Sequence, residues 1–106
     1  MLPTLTDEQR ADALLKAAAA RVKRSEVKTS LKRGTVTLAE VIKQGTTDDI
    51  IGKIKVTALL EAMPGVGKVR ARQIMERLDI AENRRVRGLG DRQRAALEAE
   101  FATVAA

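Results

Sequence analysis

With 106 residues, of which 44% are hydrophobic, the chain has material for one domain with a modest core. The absence of Cys and His excludes a disulfide framework, a cysteine zinc site and histidine acid–base catalysis. A net charge of +6 favours a polyanionic partner, with nucleic acid first. One aromatic residue and no alternating β-branched runs predict an all-α fold. We expect no enzyme, no metal and no cofactor.

A long first helix is predicted over residues 7–33. Thr6 and Gln9 have the spacing of a capping box, and nothing interrupts the pattern before Gly34. At 1.5 Å per residue the helix is about 40 Å long, more than a core of this size covers. Its larger apolar residues are expected to anchor it to the rest of the chain: Leu14, Leu15, Val22, Val27 and Leu31.

The same helix carries a stripe of cations. Arg21, Arg24, Lys28 and Lys32 follow one another at i, i+3, i+7 and i+11, which places them on one face. Such a stripe is often only a solvated face. Here residues 16–33 hold seven Lys or Arg against one acid, which favours a functional arm. We therefore divide the chain into a basic helical arm, 1–33, and a domain, 34–106.

We interpret residues 34–63 as a structural scaffold. Thr37 predicts the start of a short helix that ends at Gly45, and a second amphipathic helix is predicted from Val56 to Met63. Neither helix carries a cluster of residues with a chemical role.

A glycine turn follows that scaffold. Pro64 ends the preceding helix, and Gly65 and Gly67 leave the N-terminus of a helix over 68–78 open to a ligand. The unpaired N–H groups there attract phosphate, although tight helix connections use Gly-x-Gly turns too. The candidate contacts are Pro64, Gly65, Val66, Gly67 and Lys68.

An arginine loop with a second glycine turn lies about 20 residues further on. It supplies the candidate contacts Arg84, Arg85, Arg87, Gly88 and Gly90, and Asp91 is expected to cap the last helix. The long P-loop spacing is missing, so nucleotide hydrolysis has no support. Two such turns with an arginine cluster between them indicate a surface that grips phosphates.

Residues 59–101 resemble the helix-two-turns-helix motif, through Met63-Pro64-Gly65-Val66-Gly67-Lys68 and Arg87-Gly88-Leu89-Gly90. Over nearly its whole length the chain is similar to the actinobacterial integration host factor family. The stretches that match are Leu5-Thr6-Asp7-Glu8-Gln9-Arg10-Ala11, Gly52-Lys53-Ile54-Lys55-Val56 and Arg87-Gly88-Leu89-Gly90-Asp91-Arg92-Gln93.

The resemblance implies a nucleoid-associated protein of the cytoplasm that binds double-stranded DNA with little sequence preference. It further implies altered DNA shape and topology and, in some members, assistance to a phage integrase during recombination. A second DNA surface is implied near Arg21, Arg24 and Lys28. We expect a monomer in solution, with no membrane partner because no apolar run approaches the roughly 20 residues of a span.

Two other interpretations stay open at this point. One is a ribosomal-protein-like module that binds RNA, because the same motif occurs in a small-subunit ribosomal protein. The other is a DNA-repair protein of the glycosylase type. A glycosylase needs an N-terminal proline nucleophile and a zinc finger, and Pro3 is not terminal and Cys is absent, so only a non-catalytic accessory role is left.

Overall fold

The computed structural model describes residue 4 and residues 6–102, and for Ala102 only the backbone. Within that range the chain is all-α, as the sequence predicts. The helices are α1 (Asp7–Arg33), α2 (Leu38–Gln44), α3 (Asp49–Gly52), α4 (Val56–Ala62), α5 (Lys68–Arg77) and α6 (Asp91–Ala102), with a 3₁₀ turn at Val86–Gly88.

The two ends of α1 are fixed by the residues that the sequence indicates. The Thr6 hydroxyl accepts from the Gln9 N–H at 3.1 Å, and the Thr6 N–H donates to the Gln9 amide oxygen at 3.0 Å. At the other end Gly34 adopts φ 74°, a left-handed conformation that glycine tolerates best, and its N–H donates to the Leu31 carbonyl at 3.2 Å. The prediction of a helix over 7–33 is confirmed.

The prediction that Leu14, Leu15 and Val22 anchor α1 is wrong. Their side chains are 66%, 71% and 55% exposed. Only the last turns of α1 pack on the body of the protein, against α3 and α4, where Leu31 is buried. The first half of the helix extends beyond the core, because a helix of 27 residues is longer than the domain it leaves.

The core lies where α2, α3, α4, α5 and α6 meet the end of α1. Leu60 on α4 and Leu97 on α6 are fully buried, and Met75 on α5 is 1% exposed. Phe101, one turn after Leu97, packs against this cluster as predicted. The buried residues are almost all aliphatic, so the core depends on close packing of branched side chains.

Two buried glycines allow the scaffold helices to approach the loop after α5. A Cβ at Gly45 would lie 2.5 Å from a Val86 methyl, and a Cβ at Gly52 would lie 2.7 Å from the Gly45 carbonyl oxygen. Any side chain at either position displaces backbone or a buried residue. The scaffold therefore sets the position of the arginine loop that begins two residues before Val86.

Two ion pairs join elements that are distant in sequence. Lys23 on α1 binds the carboxylate of Asp48, whose other role is to cap α3 by accepting from the Ile50 and Ile51 N–H groups at 2.9 and 3.2 Å. Arg77 at the end of α5 makes a two-bonded pair with Glu100 on α6. The first pair ties the arm to the body, and the second holds α5 against α6.

The Lys23–Asp48 pair predicts a dependence of stability on pH. The hydrogen bond from Lys23, together with that from the Ile51 N–H, holds the pKa of Asp48 below its ordinary value of 3.8. Because the pKa is lower in the folded state, this stabilisation is complete above the ordinary value and is lost as pH falls through the folded-state pKa.

The test compares the wild type with Asp48→Asn, in which the amide still caps α3 but carries no charge. We expect the variant to melt at a lower temperature at about pH 7, and the gap between the two melting temperatures to narrow as acid protonates the Asp48 carboxylate. Thermal melts followed by circular dichroism measure both. A gap that does not narrow as pH falls below the ordinary Asp48 value of 3.8 contradicts the assigned ion pair.

No helix in the described part of the chain is both long and apolar enough to cross a bilayer.

Candidate nucleic-acid interface

The glycine turn between α4 and α5 is closed by backbone hydrogen bonds of its own. The Met63 N–H donates to the Leu60 carbonyl at 3.0 Å, and the Val66 N–H donates to the Met63 carbonyl at 3.1 Å. Gly65 has φ 75°, a conformation that explains why a glycine follows Pro64. Val66 is 9% exposed and belongs to the core, so it holds the turn against the body of the protein.

Gly67 leaves the N-terminus of α5 without a cap. It occupies the N-cap position with φ −93° and ψ −177°, and no side chain of the described residues accepts from the first turn of the helix. Neither the backbone conformation nor packing requires glycine, because a Cβ at this position meets nothing within 4 Å. The N–H groups of Lys68 and Val69 have no hydrogen-bond acceptor among the described residues, and they carry the partial positive charge of the helix terminus.

Two lysines of α1 stand beside this turn. Lys28 and Lys32 line a groove of about 540 Å³ together with Glu61 and the backbone from Pro64 to Gly67. We call it the turn groove. The sequence predicts the arm and the glycine turn as two separate contact surfaces. In the fold, the end of the cationic stripe lies next to the turn. Lys32 belongs to the stripe but is not among the predicted contacts.

Arg21 and Arg24, the other predicted contacts of the arm, lie one to two turns before Lys28 on α1. Both are exposed, and neither lines the turn groove. They continue the cationic stripe away from the turn groove, on the part of α1 where Lys23 binds Asp48 of the body.

A second groove adjoins the first across α4. It has a volume of about 340 Å³ and is lined by Lys55, Glu61, Lys68, Arg72 and Glu82, among others. We call it the lysine groove. Arg72 forms an ion pair with Glu82 at 3.4 Å. The other two cations of the lysine groove, Lys55 and Lys68, have no acidic partner among the described residues. Glu61 lines both grooves and therefore lies between the turn groove and the lysine groove.

The arginine loop is held to the start of α4 by a short antiparallel bridge between Lys55 and Arg85. The Val56 N–H donates to the Arg84 carbonyl at 2.9 Å, and the Val86 N–H donates to the Ile54 carbonyl at 3.0 Å. The bridge places Arg85 beside Lys55 and hence at the edge of the lysine groove. Sequence reasoning misses Lys55, because a single bridge between distant residues leaves no periodic signal.

The three arginines of the loop have different environments. The half-buried Arg84 donates to the Gly88 carbonyl at 3.1 Å, and its Nε is buried without a partner. The exposed Arg85 donates to the Lys53 carbonyl. The guanidinium of Arg87 makes no hydrogen bond within the described residues and lines a separate recess of about 240 Å³ with Arg94 and Asp49. Arg84 closes the loop, while Arg85 and Arg87 keep most of their donors free.

The second glycine turn differs from the first. Arg94 donates its N–H to the Gly90 carbonyl at 2.9 Å, so Gly90, not the predicted Asp91, is the N-cap of α6. The Gly90 N–H is already used by the Gln93 side chain at 3.1 Å, and Asp91 adds an acid to the first turn. Gly88 gives room to Arg84, since a Cβ there would lie 3.2 Å from the Arg84 Cδ.

Comparison with known proteins agrees with this geometry. Residues 31–101 match the family model of the S13-like H2TH domain, which begins in the last turn of α1 and ends near the end of α6. The resemblance to the helix-two-turns-helix motif is thereby confirmed.

Curated relatives match over nearly the whole chain. An integration host factor of Streptomyces coelicolor is 68% identical over 100 residues, covering 94% of this chain and 94% of the relative. An integration host factor of Mycobacterium tuberculosis is 61% identical over 100 residues, covering 94% and 95%.

A solved structure described as sIHF bound to an 8-bp palindromic DNA matches with a TM-score of 0.80 and 67% sequence identity. The match covers 81% of this chain and 97% of that one. With a family model over residues 31–101 and relatives above 60% identity, the chain belongs to the integration host factor family and carries an S13-like H2TH domain.

Proposed function

We propose that this protein binds double-stranded DNA by gripping backbone phosphates, as a nucleoid-associated protein with little sequence preference. The observation that carries the proposal is the uncapped N-terminus of α5 at Gly67, open to solvent and flanked by Lys28, Lys32 and Lys68. The DNA complex of a chain 67% identical to this one supports the choice of duplex DNA as the partner.

The chemistry of the interface explains why sequence preference is low. Backbone N–H groups, lysines and arginines bind phosphate well, and phosphate contacts position a protein without reading bases. The only aromatic residue of the chain, Phe101, packs against the core, so there is no exposed ring on which a single-stranded base stacks. These properties favour a duplex over single strands.

The arm gives the proposal its second part. α1 carries Arg21 and Arg24 beyond the turn groove, so DNA that follows the stripe leaves the body in the direction of the helix. We propose that the arm (1–33) and the domain (34–106) together contact more DNA than either alone and thereby bend or bridge it. A complex that changes DNA shape is suited to assisting an integrase in site-specific recombination.

The remaining properties of the proposal follow from this role. The protein acts without catalysis or cofactor, in the nucleoid of the cytoplasm, and is a monomer in solution. Sedimentation of the free protein over a range of concentrations tests the last point, because a dimer sediments faster than the monomer.

Salt titration of duplex binding tests the proposed function. If about six phosphates are engaged, the logarithm of the association constant falls against the logarithm of salt concentration with a slope near −5. Fluorescence anisotropy with several unrelated duplexes gives the slope and the sequence preference together. A flat salt profile, or a preference of about tenfold or more for structured RNA at equal salt, contradicts the proposal.

The arginine loop supplies a further prediction. We expect Arg85→Ala combined with Arg87→Ala to weaken binding about tenfold for all duplexes alike, and to reduce the salt slope by about two, since each arginine accounts for about one phosphate. Circular dichroism gives the control. Loss of helicity in the double variant assigns the loop a structural role instead.

A further inference from the structure

Glu61 is the one carboxylate that lines both grooves of the interface. It lies in the last turn of α4, is exposed, and makes no ion pair with the described residues. On its two sides stand Lys28 and Lys32 of the turn groove and Lys55 and Lys68 of the lysine groove. A carboxylate therefore lies on the ridge between the turn groove and the lysine groove, among lysines of both.

The local structure gives no reason for a carboxylate at this position. The C-terminal end of a helix carries partial negative charge, so an acid in the last turn is unfavourable, and α4 has no basic residue there to compensate. Acids that do stabilise this fold have cationic partners, as Asp48 has Lys23 and Glu100 has Arg77. A residue that destabilises its own helix and has no ion pair to offset this is a candidate for a functional role.

A carboxylate and a phosphate are both negatively charged and repel each other. Because the carboxylate has no hydrogen to donate, no hydrogen bond offsets this repulsion. At about 6 Å in water the repulsion of two unit charges amounts to roughly a threefold change in an equilibrium constant, and it disappears with screening by salt. Building on the proposed function, we propose that Glu61 limits the affinity for DNA by keeping the phosphate backbone off the ridge between the grooves. Phosphates are thereby directed into the two grooves, and the complex dissociates faster.

The test measures duplex binding by Glu61→Gln, which keeps the size of the side chain and removes its charge. Glu98→Gln is the matched control, because Glu98 is also exposed on a helix but lines neither groove. We expect Glu61→Gln to bind about threefold more tightly than the control at about 50 mM salt, with the difference narrowing as salt is raised to about 200 mM. The gain is expected in a slower dissociation rate.

Two outcomes overturn the inference. Equal affinities of Glu61→Gln and Glu98→Gln leave Glu61 without influence on the DNA, and weaker binding by Glu61→Gln makes the carboxylate an acceptor for a base amino group. Both outcomes are distinct from a failure of the proposed function, in which the wild type itself shows no salt-dependent duplex binding.

Discussion

Replacement of Gly67 by Asp is expected to weaken DNA binding about 30- to 150-fold while leaving the protein as stable as before, or slightly more stable. Asp is a better N-cap than Gly, so the helix gains a few tenths of a kcal/mol. The same carboxylate occupies the N–H groups of the first turn of α5 and repels phosphate. The lost charge-assisted hydrogen bonds are worth about 2–3 kcal/mol, which sets the expected loss of affinity.

Two milder substitutions at the same position separate the causes. Gly67→Ala adds only a methyl group in open space and is expected to have the smallest effect. Gly67→Asn takes up the same N–H groups without charge and is expected to lie between Ala and Asp. Anisotropy and thermal melts of the three variants test the series. If the Asp variant binds within about threefold of wild type, the terminus of α5 is not a phosphate site.

The largest expected loss of stability comes from Leu97→Ala. Leu97 is fully buried on α6, where that helix packs on α2. Truncation of such a leucine costs about 2–5 kcal/mol, because the cavity does not fully collapse. In a domain of this size that corresponds to a fall in melting temperature of about 10–30 °C.

Leu14→Ala is the matched control for this prediction. The Leu14 side chain is 66% exposed on the projecting half of α1, so the same truncation leaves no cavity. We expect its stability to stay within about 0.5 kcal/mol of wild type. Equal losses in the two variants contradict the assignment of the core to the body of the protein and of the first half of α1 to solvent.

The helices and their ends are predicted by short-range signals in the sequence. Thr6 with Gln9, the left-handed Gly34 and the stop at Pro64 all act within one turn of the chain, and each lies where the pattern predicts it. Helix ends differ from the predictions by a residue, as at α6, where the N-cap is Gly90 and not Asp91 and the Gln93 side chain accepts from the Gly90 N–H.

The packing of α1 and the shape of the interface do not follow from such signals. Leu14 and Leu15 are large apolar residues of the kind that anchor a helix, yet which turns of a long helix meet the body depends on where α3 and α4 lie. The groove shared by Lys28 and the glycine turn arises in the same way. Lys55 and Arg85 are 30 residues apart in sequence, and only the folded backbone reveals their bridge.

The central claim is that one continuous surface binds the phosphate backbone of duplex DNA: the turn groove, the lysine groove and the adjoining arginine loop. Backbone amide NMR during titration with a short duplex tests it most directly. We expect the largest shifts at Gly67, Lys68 and Val69, with smaller ones at Lys28 and Arg85. Shifts concentrated instead on α2 and α6, with the amides of the α5 terminus unmoved, contradict it.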